Sequence, residues 1–169
     1  MNHNYKEIWN QFIEEHGPYK FHLTITFTTK ISDDTAYKSL LFYLHLLNQK
    51  VFGSRYKKKG LHIEGFVFAE SHKDGTTHYH SLLKDNELFH VEGKPPLEDH
   101  VKNLMAKVKL GNSNRQLISP IGVRLDEIYS SDIIGYTIKS MPSYREDSAD
   151  FIGILGIDGT YKISPAKYR

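Results

Sequence analysis

Apolar residues recur along this chain with two different periods, and the switches between them mark its elements. Over residues 3–16, Tyr5, Ile8, Trp9, Phe12 and Ile13 fall on one stripe of a 3.6-residue repeat, which predicts a short amphipathic helix stopped by Gly17-Pro18. Phe21 to Thr29 (FHLTITFTT) alternates with period two and is rich in β-branched and aromatic residues, the mark of a strand. Ser32 or Asp33 then caps a helix running to about Phe52, with Leu40, Leu41, Leu44 and Leu47 on its inner side and Gly53 ending it. Leu61 to Glu70 and Thr77 to Leu83 read as two strands joined through Asp74-Gly75. Pro95-Pro96 opens a helix of about 97–109, Ile121 to Ile128 is a strand, and Ser130 or Ser131 caps a helix of about 132–140. Phe151 to Ile163 reads as a hairpin around Asp158-Gly159.

The order α-β-α-β-β-α-β-α-β-β predicts an α+β fold on a mainly antiparallel sheet with flanking helices. A doubly wound parallel sheet is disfavoured because the βαβ rhythm breaks twice. With 169 residues the chain fits one domain, and 39% hydrophobic residues suffice for a core. No run approaches the roughly 18–20 apolar residues of a membrane span, and the first residues (MNHNYKEIWNQF) show no signal-peptide core. The absence of cysteine excludes a disulfide framework, a thiolate metal site and a cysteine nucleophile.

A formal charge of +2 argues against binding nucleic acid through bulk electrostatics. The charge is locally uneven, however: Arg55, Lys57, Lys58 and Lys59 form a basic loop and are candidate phosphate contacts, set against the plainer reading of a solvated turn. Ten histidines are the compositional oddity. Two of them make the densest motif, His78-Tyr79-His80, whose imidazoles project from one face of a strand and supply half of a divalent-metal site. Glu70 ends the preceding strand. A two-residue turn at Asp74-Gly75 would put it opposite Tyr79, on the wrong face. A bulged or three- to five-residue loop, with Gly75 at positive φ, puts it with the histidines. His72 is a rival third ligand. Tyr136 and Lys139 share a helix face at i and i+3, so a phenol and an ammonium point the same way. The phenol becomes a nucleophile if a nearby cation favours its anion. The bland alternative is a core tyrosine with a snorkelling lysine.

In order and spacing, HLTITF at 22–27, Glu70 with His78-Tyr79-His80, and Tyr136 with Lys139 resemble the three motifs of the HUH endonuclease superfamily. The resemblance covers about residues 20–140 and is nearest to single-tyrosine nuclease domains of rolling-circle replication initiator (Rep) proteins. It implies a five-stranded antiparallel sheet of ferredoxin-like or RRM-like type with flanking helices. It also implies that Glu70, His78 and His80 hold Mn²⁺ or Mg²⁺, that Tyr136 attacks the scissile phosphate, and that Lys139 supports it. The implied activity is sequence-specific nicking and joining of single-stranded DNA at a replication origin, for which a hairpin loop is one form. A host helicase and polymerase would be partners, in the cytoplasm of a bacterial or archaeal host or the nucleus of a eukaryotic one.

The chain departs from viral Rep proteins in carrying no G-x-x-x-x-G-K-[ST] loop, so the expectation is one nuclease domain over 1–169 without a helicase. Tyr129 and Tyr144 lack a lysine three residues on, which disfavours a two-tyrosine mechanism. Tyr56 and Tyr144 are candidates for base stacking. A single-tyrosine transposase, a relaxase-like protein and a non-catalytic nucleic-acid-binding module stay open as alternatives. A cupin-like enzyme fits poorly, since Glu87 is too far from His80 and the helices are too many. A 2H phosphoesterase lacks its second motif.

Overall fold

Strand β1 (Phe21–Phe27) forms where apolar and polar residues alternate, and the alternation sorts its side chains to two faces. Phe21, Leu23, Ile25 and Phe27 enter the main core, while His22, Thr24 and Thr26 take the other face. The computed structural model describes residues 5–28, 30–71, 76–111, 114–138, 152–156 and 158–163. Around β1 it builds one six-stranded sheet from β2 (Gly65–Ser71), β3 (Thr77–Leu83), β4 (Ile118–Glu127), β5 (Ile152–Gly156) and β6 (Gly159–Ile163). The order is β4-β1-β3-β2-β5-β6, with every neighbouring pair antiparallel. The fold is therefore α+β on an antiparallel sheet.

Helices α2 (Asp33–Phe52) and α3 (Leu97–Leu104) complete a β-α-β-β-α-β unit with strand order 4-1-3-2, the split βαβ arrangement. Ser32 caps α2 by accepting from the Thr35 N–H, and Gly53, at φ 86°, ends it with its N–H on the Gln49 carbonyl. Leu40, Tyr43, Leu44, Leu47 and Val51 of α2, with Leu97, Val101 and Leu104 of α3, pack on the odd-numbered face of β1 and β3. The buried Tyr43 hydroxyl ties the two helices together by donating to the Val101 carbonyl at 2.7 Å.

The other sheet face is only partly covered. Helix α1 (Tyr5–Glu15) and the short α4 (Asp132–Thr137) form a second cluster, in which Trp9, Ile13 and Ile134, with Ile138 just beyond α4, pack on Phe66, Phe68 and Leu82. That apolar cover sits on even-numbered positions of β2 and β3. Further along the same strands, the even-numbered positions turn polar.

Several expectations shift in detail. The sheet has six strands where the resemblance implies five, because the C-terminal hairpin adds two to the split βαβ four. Strand β2 starts at Gly65 and not Leu61, since the Ile63 N–H bonds the Asn48 side chain at 2.7 Å instead of a neighbouring strand. The helix expected over 97–109 gives way to a 3-10 turn at Met105–Lys107. Strand β4 begins at Ile118, and Gly122 lies where β1 and β4 slip register, since a Cβ there would meet the Thr26 carbonyl oxygen at 2.6 Å. Gly75 lies outside the described residues. Among the described residues, no helix is long and apolar enough to cross a membrane.

Gly65 admits β2 to the sheet. Its φ is 149°, and a Cβ there would lie 1.9 Å from the Leu82 carbonyl oxygen. Gly65→Ala is expected to destabilise the protein by about 3 kcal/mol or more, measured by urea unfolding. An unchanged midpoint would show that β2 enters the sheet by a different path.

Candidate metal and nucleophile site

Register decides which side chains meet on the open face. Strands β2 and β3 pair Glu70 with His78 and Ser71 with Thr77, leaving five residues, 72–76, between the paired ends. That odd count puts Glu70 on the face of His78 and His80, which an even count would not do. Strand β1 lies on the other side of β3 and pairs Thr24 with His80 and Thr26 with His78. Directly opposed residues have Cβ atoms about 4.5–5.5 Å apart, within reach of a hydroxyl–imidazole hydrogen bond.

Those bonds form. The Thr24 hydroxyl meets His80 Nδ1 at 3.3 Å, and the Thr26 hydroxyl meets His78 Nδ1 at 3.0 Å. Both imidazoles are therefore held through Nδ1, which leaves Nε2 as the working nitrogen. His80 Nε2 lies 2.9 Å from a Glu70 carboxylate oxygen, in a pair whose side chains are 9% and 20% exposed. His78 Nε2 has a long contact of 3.4 Å to the Thr76 hydroxyl. An ionised carboxylate only accepts, so a neutral His80 facing one would carry its proton on Nε2 and accept from the Thr24 hydroxyl at Nδ1. A hydroxyl can reverse that role, so the same threonine also suits an imidazole whose Nε2 has surrendered its proton.

The nucleophile candidate comes from α4. Ser130 accepts from the Asp132 N–H as the helix starts, and Ile134 and Ile138, one turn apart and buried, anchor this segment to the sheet. Tyr136 lies between them in sequence and is 49% exposed. Its ring stands edge-on to His80, with centroids 6.3 Å apart. The first two elements of the motif set thus meet the tyrosine of the third. Lys139, three residues on, lies outside the described residues, as do His72 and Tyr144.

His22 opens the HLTITF motif without a role assigned to it, yet it belongs to this cluster. Its ring lies parallel to His80 at 5.4 Å and perpendicular to Tyr136 at 6.4 Å. Burial, reinforced by the nearby His80 and opposed by Asp126, holds its pKa down to about 4, so the ring is neutral at neutral pH. Asp126 and Arg124 reach the same face from β4, opposite His22 and Thr24, and the Arg124 Nε donates to Asp126 at 2.8 Å. The signal for these residues was in β1 all along: HLTITF alternates, so His22, Thr24 and Thr26 share one face.

The basic loop goes elsewhere. Lys57–Lys59 is a 3-10 turn beyond the C-terminus of α2, and Lys57 pairs with Asp158 in the β5–β6 turn at 3.0 Å. That is the helix-covered face of the sheet, at the end where β2 starts, opposite the end that bears Glu70. Arg55, Lys57, Lys58 and Lys59 are exposed, but the structure does not bring them to the histidine cluster. Tyr56 is 2% exposed, with its hydroxyl 2.8 Å from His45 Nδ1, so it has no free face for a base. Tyr129 is exposed and donates to Glu127 at 2.9 Å.

Among the described residues, no three His, Asp or Glu side chains converge as a ready-made ion site. The donor chemistry still suits a divalent ion: one carboxylate and two imidazoles, each imidazole already oriented through Nδ1 by a hydroxyl. In comparisons with known proteins, no family model, no curated protein and no solved structure matches the chain.

The seat of Tyr136 depends on two isoleucines. Ile138→Ala is expected to loosen α4, raising amide hydrogen exchange there while β1 and β3 stay protected. Unchanged exchange in α4 would mean the helix is held by other contacts.

Proposed function

We propose that this chain is a single-tyrosine endonuclease and strand transferase of the HUH type, acting on single-stranded DNA at a replication origin as a rolling-circle initiator does. The observation that carries the reading is the approach of Tyr136 to the Glu70–His80 pair, on a face lined by hydroxyl-held imidazoles. Three segments far apart in sequence supply groups of complementary chemistry to one partly open surface. An accidental histidine pair would need none of them.

Glu70, His78 and His80 are the residues that would hold Mn²⁺ or Mg²⁺. A bound ion supplies Lewis-acid polarisation of a phosphate oxygen and offsets charge in the transition state. The protein's own part is nucleophile and orientation. The Tyr136 oxygen attacks phosphorus, the bond from phosphorus to the 3′ oxygen breaks, and the phenolic proton passes by way of solvent to that oxygen. The products are a 5′-phosphotyrosine and a free 3′-OH, and the reverse attack rejoins strands. Lys139, which lies outside the described residues, would favour the phenolate or neutralise the phosphate. Arg124 supplies a cation on the site's own face, whereas Arg55 and Lys57–Lys59 suit backbone contacts beyond it. The substrate is single-stranded or extruded, because a phosphate within a duplex does not reach a tyrosine seated on a sheet face. A host helicase and polymerase would extend the 3′-OH, in the cytoplasm of a bacterial or archaeal host or in a eukaryotic nucleus.

The same geometry admits a second reading, carried by the 2.9 Å contact between Glu70 and His80 Nε2. Glu70 and His80 would then act as an acid–base dyad without metal. One experiment tests the proposal and separates the two. Incubation with a library of single-stranded oligonucleotides and Mn²⁺ should yield a covalent adduct on a denaturing gel, abolished by EDTA. In Tyr136→Phe the yield should fall by at least about a thousandfold. An adduct that survives EDTA supports the dyad, and no adduct across a broad library defeats the nuclease reading.

The threonines provide a second test. Thr24→Val and Thr26→Val keep shape and strand preference but remove the Nδ1 partner. Each is expected to weaken Mn²⁺ binding by about tenfold, measured by calorimetry, with little change in melting temperature. Unaltered affinity in both variants would show that Nδ1 orientation does not matter to the ion.

A further inference from the structure

The proposed reaction gives His22 no task, although His22 is built into the site. It is 6% exposed, and its buried Nε2 has no hydrogen-bond partner among the described residues. An orphaned polar atom costs stability, and a leucine or valine in β1 would avoid that cost. Something about the imidazole ring itself must therefore be used.

Its geometry excludes one use. A nitrogen binds an ion along the plane of its ring. The rings of His22 and His80 are parallel to within 3° and stacked at 5.4 Å, so they do not aim at one point. His22 is not a further ligand to an ion held by His80. The remaining contacts are of ring with ring. Tyr136 stands at 86° to both imidazoles, with nearly equal centroid separations of 6.4 and 6.3 Å. Edge-to-face pairs in this range are attractive and directional. Tyr136 is half exposed on a helix of six residues, so ring contacts of this kind add to what orients it.

We propose that His22 is a positioning residue, a flat wall that stacks on His80 and fixes the Tyr136 ring over the histidine–carboxylate pair. The inference rests on the nuclease reading for its kinetic consequence, but the geometric claim stands apart from it. Positioning matters because misplacing a nucleophile by about 1 Å can cost about a hundredfold in rate. A phenylalanine at this position keeps the flat ring and loses both nitrogens, whereas alanine loses the wall.

The test compares His22→Ala and His22→Phe with the unmodified protein. Three quantities are read: the single-turnover rate of adduct formation at saturating oligonucleotide with Mn²⁺, the Mn²⁺ affinity, and the ¹³C-labelled Tyr136 ring resonance. The alanine variant should slow the chemical step by about tenfold or more and shift the Tyr136 resonance, with oligonucleotide and Mn²⁺ affinities unchanged. The phenylalanine variant should stay within about threefold of the unmodified rate, since only the ring face is required. Equal slowing in both variants, or a loss of Mn²⁺ affinity that matches the loss of rate, would overturn the proposal. So would an alanine variant of full speed. If the unmodified protein forms no adduct, the nuclease reading fails by itself. The positioning claim is then decided by the resonance, and an unmoved Tyr136 signal in His22→Ala would overturn it.

Discussion

The pairing of β2 with β3 is the constraint on which the rest of the molecule depends. Side chains alternate along a strand, so a slip of one residue would send Glu70 to the helix-covered face and Ala69 to the open one. The observed pairing of Glu70 with His78 leaves Val67, Ala69 and Tyr79 in the core beneath α2, and Glu70, His78 and His80 on the opposite face. Burial and chemistry select the same register. A chain that satisfied its core with these strands could not avoid assembling the polar cluster.

The two faces then do different work. The odd-numbered face of β1 and β3 is sealed by α2 and α3 and supplies most of the apolar burial. The even-numbered face is divided along its length. Phe66, Phe68 and Leu82 are roofed by α1 and α4, while Thr24, Thr26, Glu70, His78 and His80 lie beyond the roof. Helix α4 therefore has a buried apolar side and a half-exposed side. Ile134 and Ile138 are buried, and Tyr136 projects at the boundary between roof and open sheet. A side chain at such an edge has a rigid support below and solvent above.

Much of this was legible in the residues. Strand β3 falls at Thr77–Leu83 as its alternation predicts, α2 starts after Ser32 and ends at Gly53, and the parity argument for Glu70 needed only the loop length. The parts that were not legible share a physical reason, dependence on tertiary neighbours. Asn48 captures the Ile63 N–H across the chain and so delays β2. Arg55 and Lys57–Lys59 are basic in sequence, but only the course of α2 shows that they lie at the far end of the opposite face. His22, Thr24 and Thr26 share a face by simple alternation. Their roles needed the knowledge that β3, and not β2, is the neighbour of β1.

The central claim is that a strand pair and its cross-strand carboxylate form one ion site served by both imidazoles. Pulsed electron paramagnetic resonance of Mn²⁺ bound to the protein tests it most directly, through the coupling of the metal to ligand nitrogen. The account predicts two imidazole nitrogen couplings, reduced to one in either His78→Ala or His80→Ala. Bound Mn²⁺ without any imidazole coupling, or with couplings that survive both substitutions, would contradict it.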